Sequence, residues 1–567
     1  MSKRYLVTSG LPYSNGRLHV GHIAGAYLPA DIFVRYQRAR GHEVCFVCGS
    51  DDNGVSIEIK ALSEGRTPQE VSSHYHDSQR RSFEGLRIAF DVYGGTHQPG
   101  FVERHERMSQ AFFLKIYEQG YFTKRSVKQL YDPRAERFLP DSYVRGTCHH
   151  PDCGSPRAKG DQCEQCGRLI DPLLLINPVS EITGERAVVR ETTHWYLRLA
   201  DFEKRLAEWL ESKRDSWRSH VLNFALGQIK QGLPERAMTR DIAWGIPVPL
   251  EDPEARGKVL FVWFDAPIGY VSFTAALCAR RDGDENGWKR WWCDPDSEIV
   301  HFIGEDNTVF HTLIWPAMLM AEATISLPSA VVANNFVNYR DPASGEIRKI
   351  SKSTTPEQSP VWVEEYVRKG LDPDALRYYL TAIAPESARS AFDPQDFVAR
   401  NNNELVAALG NFVNRTLAFV DRYFERRVPD PAAAGAAESE LRARGVAALE
   451  RVGAHIEGHR YRAAQDELMA FARDCNLYFG QREPWRTRKD ALPQCAATLH
   501  ACIHAVRVLA VLCAPFMPGA AQRLLHQLGV TDDLRWALPE PLPAGHALGE
   551  PQILFAKLEP GCMGDVA

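Results

Sequence analysis

Short apolar runs alternate with helical patterns in the first part of the chain. Residues 5–8 predict a buried strand, a loop with glycine and proline covers residues 9–16, and apolar positions at helical spacing follow over residues 18–38. Residues 43–48 predict a second strand. Strand, glycine loop, helix and strand form a βαβ unit. Such a unit implies a parallel sheet with its ligand site at the carboxyl ends of the strands.

The pattern changes after about residue 119, and residues 119–234 are interpreted as an insertion. Apolar runs at residues 259–264 and 299–303 predict strands that complete the same sheet. From residue 398 onwards, apolar positions recur every three or four residues. A linker rich in alanine, glycine and proline precedes further predicted helices at residues 438–457, 460–481, 491–514 and 518–529. The tail after Pro539 is predicted to be mostly irregular.

Length, charge and cysteine usage narrow the class of protein. With 567 residues the chain is too long for one core and predicts two to four domains. The net charge of -5 means that contact with a polyanion needs a local basic face. No apolar run reaches membrane-spanning length and the first residues do not form a secretory signal, so a cytoplasmic location without a membrane is expected.

Four of the 13 cysteines are grouped within the insertion, which favours a reducing compartment and a metal site. The group consists of Cys148, Cys153, Cys163 and Cys166. Their spacing predicts a four-sulfur, tetrahedral, structural zinc site, one per chain. His149 and His150 lie in the unusually long first gap, so a histidine remains an alternative for one ligand.

A histidine motif, HVGH, follows the first predicted strand. His19 and His22 are three residues apart and share one face at a helix start, where anions are favoured. The HExxH zinc motif needs histidines four residues apart and a glutamate, so these two histidines do not match it. We predict that both imidazoles donate to phosphate oxygens and that Gly21 lets an adenine ring approach the backbone.

A lysine motif, KISKS, lies in a polar loop about two thirds along the chain. Lys349 and Lys352, with Ser351 and Ser353, predict a loop that closes over leaving pyrophosphate. Donors aimed at developing charge contribute about 3–4 kcal/mol each in such sites. Either motif alone is compatible with an ordinary solvated segment. Both together, in this order and separated by the cysteine group, form a specific signal.

The two motifs resemble the HIGH and KMSKS signatures of the class I aminoacyl-tRNA synthetases, and the closer match is to the methionyl-tRNA synthetase family. Further matching blocks are LPYSNG from residue 11, WGIPVP from residue 244, WFDAPIGY from residue 263 and HFIGED from residue 301. The resemblance extends over essentially the whole chain. It implies ATP-dependent activation of L-methionine, assisted by Mg²⁺, and transfer of methionine to tRNA(Met), including the initiator tRNA.

The resemblance also implies roles for individual residues. The catalytic residues would be His19, His22, Lys349 and Lys352, and the ATP contacts would be Gly21, Gly304, Asp306, Ser351 and Ser353. The methionine pocket would consist of Leu11, Tyr13, Asp51, Trp263, Ala266, Pro267, Tyr270, His311 and Trp315. Asp51 would hold the substrate ammonium group with Arg240 as its ion-pair partner. Glu305 departs from the family, which usually has lysine at this position.

The expected aromatic pocket suits a thioether, because sulfur–aromatic contacts contribute about 0.3–1.5 kcal/mol. In the helical region, the positions that match the family's anticodon-reading residues are Asn411, Arg415 and Trp485. Trp485 follows a proline and is expected to begin or interrupt a helix at an exposed end. Bases stack on such aromatic rings for about 1–3 kcal/mol each. A solvated basic turn is the alternative for this segment.

These observations predict an α/β protein: a Rossmann-type parallel-sheet catalytic domain with a zinc-binding insertion, followed by an all-α C-terminal helical bundle. The predicted segments are 1–118 (first catalytic half), 119–234 (insertion), 235–330 (second catalytic half), 331–397 (KMSKS loop and stem contact) and 398–567 (anticodon binding). A monomer that does not bind DNA is expected. A class I synthetase for leucine, valine or isoleucine and a non-catalytic tRNA- or zinc-binding relative remain as alternatives.

Overall fold

The computed structural model describes residues 2–140, 143–156, 158–159, 163, 165–166, 170–342, 344–350, 361–531 and 534–563. Its strands in chain order are β1 (Arg4–Ser9), β2 (Glu43–Ser50), β3 (Val92–Gly95), β4 (Phe122–Asp132), β5 (Arg137–Phe138), β6 (Val144–Thr147), β7 (Ala158–Lys159), β8 (Ile176–Ser180), β9 (Val188–Leu197), β10 (Arg236–Ala237), β11 (Thr239–Arg240), β12 (Val259–Leu260), β13 (Ser297–Gly304), β14 (Ala330–Asn334), β15 (Val337–Arg340), β16 (Ile347–Lys349) and β17 (Ser390–Phe392).

A parallel five-stranded sheet in the order β14-β13-β1-β2-β3 forms the centre of the catalytic domain. On β1, Val7 lies opposite Phe46 on one side and Val300 on the other. The strands are apolar along their length because helices cover both faces of the sheet. The predicted strands at residues 5–8, 43–48 and 299–303 are confirmed. The chain leaves β1 towards β2 but later returns on its other side at β13, which creates a crevice for a ligand at the carboxyl ends.

The strand predicted at residues 259–264 is wrong. Only Val259–Leu260 is extended, and it pairs antiparallel with β11 outside the parallel sheet. The helix Val262–Asp282 begins two residues later and packs on β2 and β3. A short apolar run does not distinguish a buried strand from the first turn of a buried helix, so tertiary packing decided between them.

The α-helices account for most of the remaining chain. They are Val20–His22, Leu28–Ala39, Val55–Glu64, Pro68–Gly85, Val102–Glu118, Glu203–Glu211, Ser219–Gln231, Val262–Asp282, Lys289–Trp292, Trp315–Glu322, Val363–Arg368, Pro373–Ala382, Pro394–Arg400, Asn411–Phe424, Ala436–Glu457, Tyr461–Arg482, Pro484–Asp490, Leu492–Cys513 and Pro518–Leu528. Wider π-helical turns occur at Ile23–Tyr27, Phe310–Ile314 and Asn401–Gly410. The four C-terminal helices predicted from the spacing of apolar residues are confirmed, with ends that differ by at most two residues.

Two of these helices are long and apolar enough to cross a membrane, although the apolar runs of the sequence had not suggested any such segment. They are Val262–Asp282 and Leu492–Cys513, and the buried share of their most apolar window is 72% and 83% respectively. The first packs on the parallel sheet and the second lies among the C-terminal helices. Both serve as core helices in this fold.

The insertion forms two small antiparallel sheets. One has the order β10-β9-β4-β5 and the other has the order β7-β6-β8. The second sheet carries the cysteine group and encloses only a small apolar cluster around Leu130, Tyr143 and Val144. A cluster of this size contributes little stability on its own, which is a physical reason for a metal in this part of the insertion.

The C-terminal helices and the catalytic domain share one continuous hydrophobic cluster. The buried Arg377, on the helix Pro373–Ala382, links the two parts. Its guanidinium group lies 2.7 Å from a carboxylate oxygen of Asp31 and donates to the carbonyl oxygens of Leu86, Pro515 and Phe516. The structure confirms the predicted fold class, with a Rossmann-type sheet, a cysteine-bearing insertion and an all-α C-terminal bundle.

Candidate active site

The histidine motif forms the first turn of a helix directly after the loop that follows β1. His19 is the N-cap, and its Nδ1 accepts from the Gly21 N–H at 3.1 Å. The Nδ1 atom of His22 accepts from the His19 N–H at 3.1 Å, and the two ring centroids are 3.7 Å apart. A neutral imidazole that accepts at Nδ1 carries its proton on Nε2. Both Nε2–H groups are therefore donors, the form that a phosphate oxygen requires.

Gly21 is required by close packing at this turn. A Cβ atom there would lie 3.0 Å from the His19 ring and 3.4 Å from the carbonyl oxygen of Val337. Any larger side chain would displace the imidazole. The approach of an adenine ring to the backbone at Gly21 stays a prediction.

The histidine turn pairs directly with the chain that follows the lysine motif. The Val20 N–H donates to the carbonyl oxygen of Val361 at 3.1 Å, and the Val363 N–H donates to Leu18 at the same distance. His19 and Trp362 form an isolated antiparallel bridge. The histidine motif is therefore hydrogen-bonded to residues 361–363, which follow the lysine motif in the chain.

A cavity of about 520 Å³ opens at the carboxyl ends of the parallel strands. The predicted residues that line it are Leu11, Tyr13, His19, Gly21, His22, Asp51, Trp263, Ala266, Pro267, Tyr270, Gly304, Asp306, His311 and Lys349. Ser351, Lys352 and Ser353 lie outside the described residues. Within the described part of the chain, the structure brings both motifs and nearly all predicted pocket residues to one cavity.

Two hydrogen-bonded pairs shape the apolar end of the cavity. The indole N–H of Trp263 donates to the hydroxyl oxygen of Tyr13 at 2.6 Å, and the Tyr270 hydroxyl lies 3.0 Å from Nε2 of His311. Burial lowers the pKa of His311 to about 4, so this ring is neutral at pH 7. Burial also raises the pKa of Tyr13 and Tyr270, which keeps both phenols protonated. The pocket wall is therefore aromatic and uncharged.

Trp315 does not line this cavity among the described residues, which corrects its predicted direct contact with methionine. The ring is fully buried and stacks on Phe112 with centroids 5.9 Å apart. Its indole N–H donates to Nε2 of His301 at 3.3 Å, and Nδ1 of His301 lies 2.6 Å from the Thr8 hydroxyl. Because the ring of His301 stacks on Tyr270, Trp315 supports the pocket from behind.

Asp51 lies directly after β2 and is almost completely buried. Its backbone accepts from the Ser14 N–H and donates to Pro12, which holds the loop after β1 against it. The guanidinium group of Arg240 donates to Ala237 and Thr239 carbonyl oxygens and lies 3.8 Å from the centroid of the Phe261 ring. The pairing of Arg240 with Asp51 stays a prediction.

Charged groups gather at the other end of the cavity. Burial raises the pKa of Asp306, the neighbouring Glu305 raises it further, and the positive charge of Lys349 opposes both effects. The Lys349 ammonium group lies 5.3 Å from the ring centroid of Phe336, which also lines the cavity. The cavity thus has an aromatic end for an apolar group and a polar end with imidazole and ammonium donors.

The four predicted zinc ligands come together in the insertion. Their sulfur atoms all lie within 4.8 Å of one another, and those of Cys153 and Cys163 are 3.6 Å apart. Tetrahedral Zn²⁺ with bonds of about 2.3 Å places its sulfurs about 3.8 Å apart, so the group fits this ion. All four ligands are cysteines in this arrangement, and no histidine joins the group among the described residues.

The three predicted anticodon residues lie on one face of the helical bundle. Arg415 stacks on Phe479 at 4.4 Å and approaches Trp485 at 5.8 Å, measured to the ring centroids. Asn411 donates to the side chain of Asn476 at 3.1 Å. Trp485 begins the helix Pro484–Asp490, as predicted, and is 42% exposed. An exposed indole beside a guanidinium group suits base stacking.

Comparison with known families gives two matches that together span nearly the whole chain. The model described as tRNA synthetases class I (M) matches residues 5–417, and the anticodon binding domain of methionyl tRNA ligase matches residues 428–563. The chain belongs to the methionyl-tRNA synthetase family of class I. The resemblance inferred from the sequence motifs is therefore confirmed.

Curated relatives and solved structures agree with this family. The methionine–tRNA ligases of Thermococcus kodakarensis and Porphyromonas gingivalis are each 42% identical, with 98% of this chain aligned to 74% and 79% of theirs. Mycobacterium tuberculosis methionyl-tRNA synthetase in complex with methionyl-adenylate has a TM-score of 0.78 and 26% identity. That alignment covers 98% of this chain and 99% of the other.

Several cavity residues were missed by sequence reasoning. Asn15, Tyr27, Asn307, Phe310, Asn335 and Phe336 all line the cavity. Tyr27 and Phe310 belong to two of the three π-helical turns described above, whose extra width is not visible in the pattern of apolar residues. Asn307 and Phe310 lie close to motif residues, so proximity in sequence was the one signal that pointed to them.

Proposed function

We propose that this family member activates L-methionine with ATP and then transfers it to the 3′-terminal ribose of tRNA(Met). In the first step a methionine carboxylate oxygen attacks the α-phosphorus, the bond to the bridging oxygen breaks, and pyrophosphate leaves. In the second step the ribose hydroxyl attacks the methionyl carbonyl carbon and AMP leaves. Neither step requires a nucleophile from the protein.

One observation carries the proposal: the histidine turn and Lys349 line the same cavity as an uncharged aromatic pocket. The first two groups suit a polyphosphate, and the pocket suits a thioether side chain. Asp51 lies at the same cavity and suits the ammonium group of an amino acid. Family membership supports the same substrate.

The proposed catalysis consists of positioning and stabilisation of charge. The Nε2–H groups of His19 and His22 and the ammonium groups of Lys349 and Lys352 would hold the phosphates as negative charge moves towards pyrophosphate. Asp306 would accept from the ribose hydroxyls. Gly21 and Gly304 would allow the nucleotide to approach the backbone, and Ser351 and Ser353 would add donors from the lysine loop.

Methionine selection would depend on the aromatic end of the cavity. Tyr13 and Trp263 form one hydrogen-bonded pair of its lining, Tyr270 and His311 form a second pair, and Leu11, Ala266 and Pro267 line the same cavity. A neutral His311 leaves no charge opposite the thioether. Branched side chains of leucine, valine or isoleucine lack the polarisable sulfur that such rings favour.

The remaining partners follow from the family and the chemistry of the site. Mg²⁺ bound to ATP would neutralise part of the polyphosphate charge. Zn²⁺, held by the four cysteines of the insertion, would be structural. Asn411, Arg415 and Trp485 would read the anticodon of elongator and initiator tRNA(Met). We propose that the protein acts as a cytoplasmic monomer that does not bind DNA.

The decisive experiment measures ATP–pyrophosphate exchange with each of the twenty amino acids in turn. The expected result is exchange with methionine at a rate far above that with any other amino acid. A preference for leucine, valine or isoleucine would contradict the proposed pocket. Absence of exchange with every amino acid, combined with retained tRNA binding, would indicate a non-catalytic relative.

Lys352→Ala should slow methionyl-adenylate formation by about 10²–10³-fold and leave methionine binding nearly unchanged, because donors aimed at developing charge act mainly in the transition state. Pyrophosphate exchange and tryptophan fluorescence titration would measure the two effects. The exposed Lys204→Ala in the insertion is the control variant. Unchanged exchange in Lys352→Ala would remove the assigned role of the loop.

A further inference from the structure

An exposed ion pair stands at the polar mouth of the cavity. Glu305 follows β13 directly, between the cavity-lining residues Gly304 and Asp306. Its carboxylate accepts from the guanidinium group of Arg389 at 2.6 Å. The side chain of Arg389 is 63% exposed and that of Glu305 is 24% exposed. Arg389 lies more than 80 positions further along the chain, and no motif in the sequence points to it.

Arg389 and Lys349 share one aromatic ring. The guanidinium carbon of Arg389 lies 5.6 Å from the ring centroid of Phe336, and the ammonium group of Lys349 lies 5.3 Å from the same centroid. Lys349 ends β16 and Arg389 directly precedes β17, and these two strands flank β15 in the sheet order β16-β15-β17. The Ser390 N–H donates to the carbonyl oxygen of Phe336 at 3.3 Å, which fixes the backbone beside Arg389.

This arrangement places two cations, Lys349 and Arg389, beside one aromatic ring of the cavity wall. Glu305 pairs with Arg389, and the charge of Lys349 acts on Asp306. An exposed ion pair of this kind contributes little to folding stability. A purely structural role, in which the pair only links the end of β13 to the start of β17, therefore does not account for its presence here. The Arg389 side chain stays largely exposed, so its remaining N–H groups face solvent and are accessible to an anion with several oxygens.

We propose that Arg389 is a further phosphate-binding residue of the nucleotide site and that Glu305 is its positioning residue. The inference rests on the proposed function, because it assigns Arg389 to the polyphosphate of ATP. A guanidinium group has five N–H donors, so one edge can stay on Glu305 while the other donates to phosphate oxygens. In this chain the glutamate directly after β13 thus holds the arginine that directly precedes β17.

The test is ATP–pyrophosphate exchange with saturating methionine and varied ATP. Arg389→Ala is expected to lower kcat/KM for ATP by about tenfold or more, since charge-assisted hydrogen bonds to phosphate are lost. Arg389→Lys should restore only part of this value, because lysine keeps the charge but lacks the planar fork. Arg214→Ala removes an equally exposed arginine from an ion pair in the insertion and should leave exchange unchanged.

A double variant distinguishes phosphate binding by a positive charge from a purely structural role of the ion pair. Glu305→Lys combined with Arg389→Ala returns one cation to the mouth of the cavity but cannot form the ion pair. Recovery of exchange relative to Arg389→Ala supports the proposal. If exchange does not recover and both variants have a lowered midpoint of thermal unfolding, the ion pair is structural and the proposal is overturned.

Two further outcomes are decisive. If Arg389→Ala leaves exchange unchanged and lowers only tRNA charging, the partner is a phosphodiester of the tRNA and the assignment to ATP is overturned. If the wild-type chain shows no methionine-dependent exchange, the proposed function itself fails. In that event equilibrium dialysis can compare ATP binding by the Arg389→Ala variant with ATP binding by the wild-type chain. This comparison tests the inference independently of catalysis.

Discussion

At the scale of single residues, hydrogen bonds to the backbone prepare the site for an anion. The Nδ1 atoms of His19 and His22 accept from backbone N–H groups, so the neutral rings present Nε2–H donors. Each ring is therefore oriented with its Nε2 atom available as a donor. The sequence identified the residues, but the ring orientation follows from the capping geometry.

The carboxylate of Asp51 should determine affinity for methionine. Asp51→Asn keeps the shape of the side chain and removes the charge that we propose faces the ammonium group, so KM for methionine should rise about 100-fold or more. Exchange at saturating ATP would measure this value. Asp282→Asn, at an exposed ion pair with Arg281, serves as the control. An unchanged KM for methionine would show that the ammonium group binds elsewhere.

At the scale of elements, two π-helical turns widen the walls of the cavity. Ile23–Tyr27 and Phe310–Ile314 each follow the carboxyl end of a central strand, β1 or β13. Such turns occur frequently at functional sites. The sequence predicted helical structure from residue 18 but gave no sign of the turn type, because apolar spacing does not distinguish α from π geometry over five residues.

The cysteine group should behave as a separate structural element. Cys163→Ser with Cys166→Ser should reduce bound zinc from about one per chain to near zero, because two thiolate ligands are lost. Atomic emission would measure the metal, and limited proteolysis should show new cleavage between residues 143 and 180. Cys293→Ser, outside the group, should retain full zinc. Full occupancy in the double variant would refute the assigned ligands.

The helix that begins at Pro484 should affect tRNA but not adenylate formation. Trp485→Ala should weaken tRNA(Met) charging about tenfold or more, because base stacking is lost, and should leave pyrophosphate exchange intact. Tyr117→Ala removes an aromatic ring of similar exposure from the catalytic domain and is the control. Equal loss of charging and exchange would indicate a folding defect.

At the scale of the whole molecule, the bundle and the catalytic domain form one packed unit. The hydrophobic cluster extends from the parallel sheet into the C-terminal helices. Arg377 adds polar contacts that tie Asp31 to the turn at Pro515 and Phe516. A guanidinium group buried in this way needs all of its partners, which couples the two parts structurally.

Buried histidines should make the folded state sensitive to acid. Burial lowers the pKa of His311 to about 4 and that of His459 to about 3, and it also lowers the pKa of His301. Between their folded pKa and the usual value of about 6.5, only the unfolded state binds these protons. The free energy of unfolding should therefore fall as the pH falls below about 6.5, by up to about 1.4 kcal/mol per pH unit for each proton.

Urea midpoints between pH 7.5 and 4.5 would measure this dependence. His311→Gln keeps a hydrogen-bonding group next to Tyr270 but cannot be protonated, so its midpoint should depend less steeply on pH than that of the wild type. Identical slopes for the two proteins would show that His311 does not contribute.

Local patterns of the sequence determined the parallel strands, the C-terminal helices and the cysteine spacing, and the resemblance to a family indicated most of the predicted residues that line the cavity. The segment 259–264 was misjudged because an apolar run fits a buried strand and a buried helix equally well. Trp315 was placed in the pocket because its position near His311 in the chain does not reveal which side of the wall it occupies. Only the tertiary structure could show that Arg389 and Lys349 both lie beside the ring of Phe336, since the order of the strands next to them, not distance along the chain, places them there.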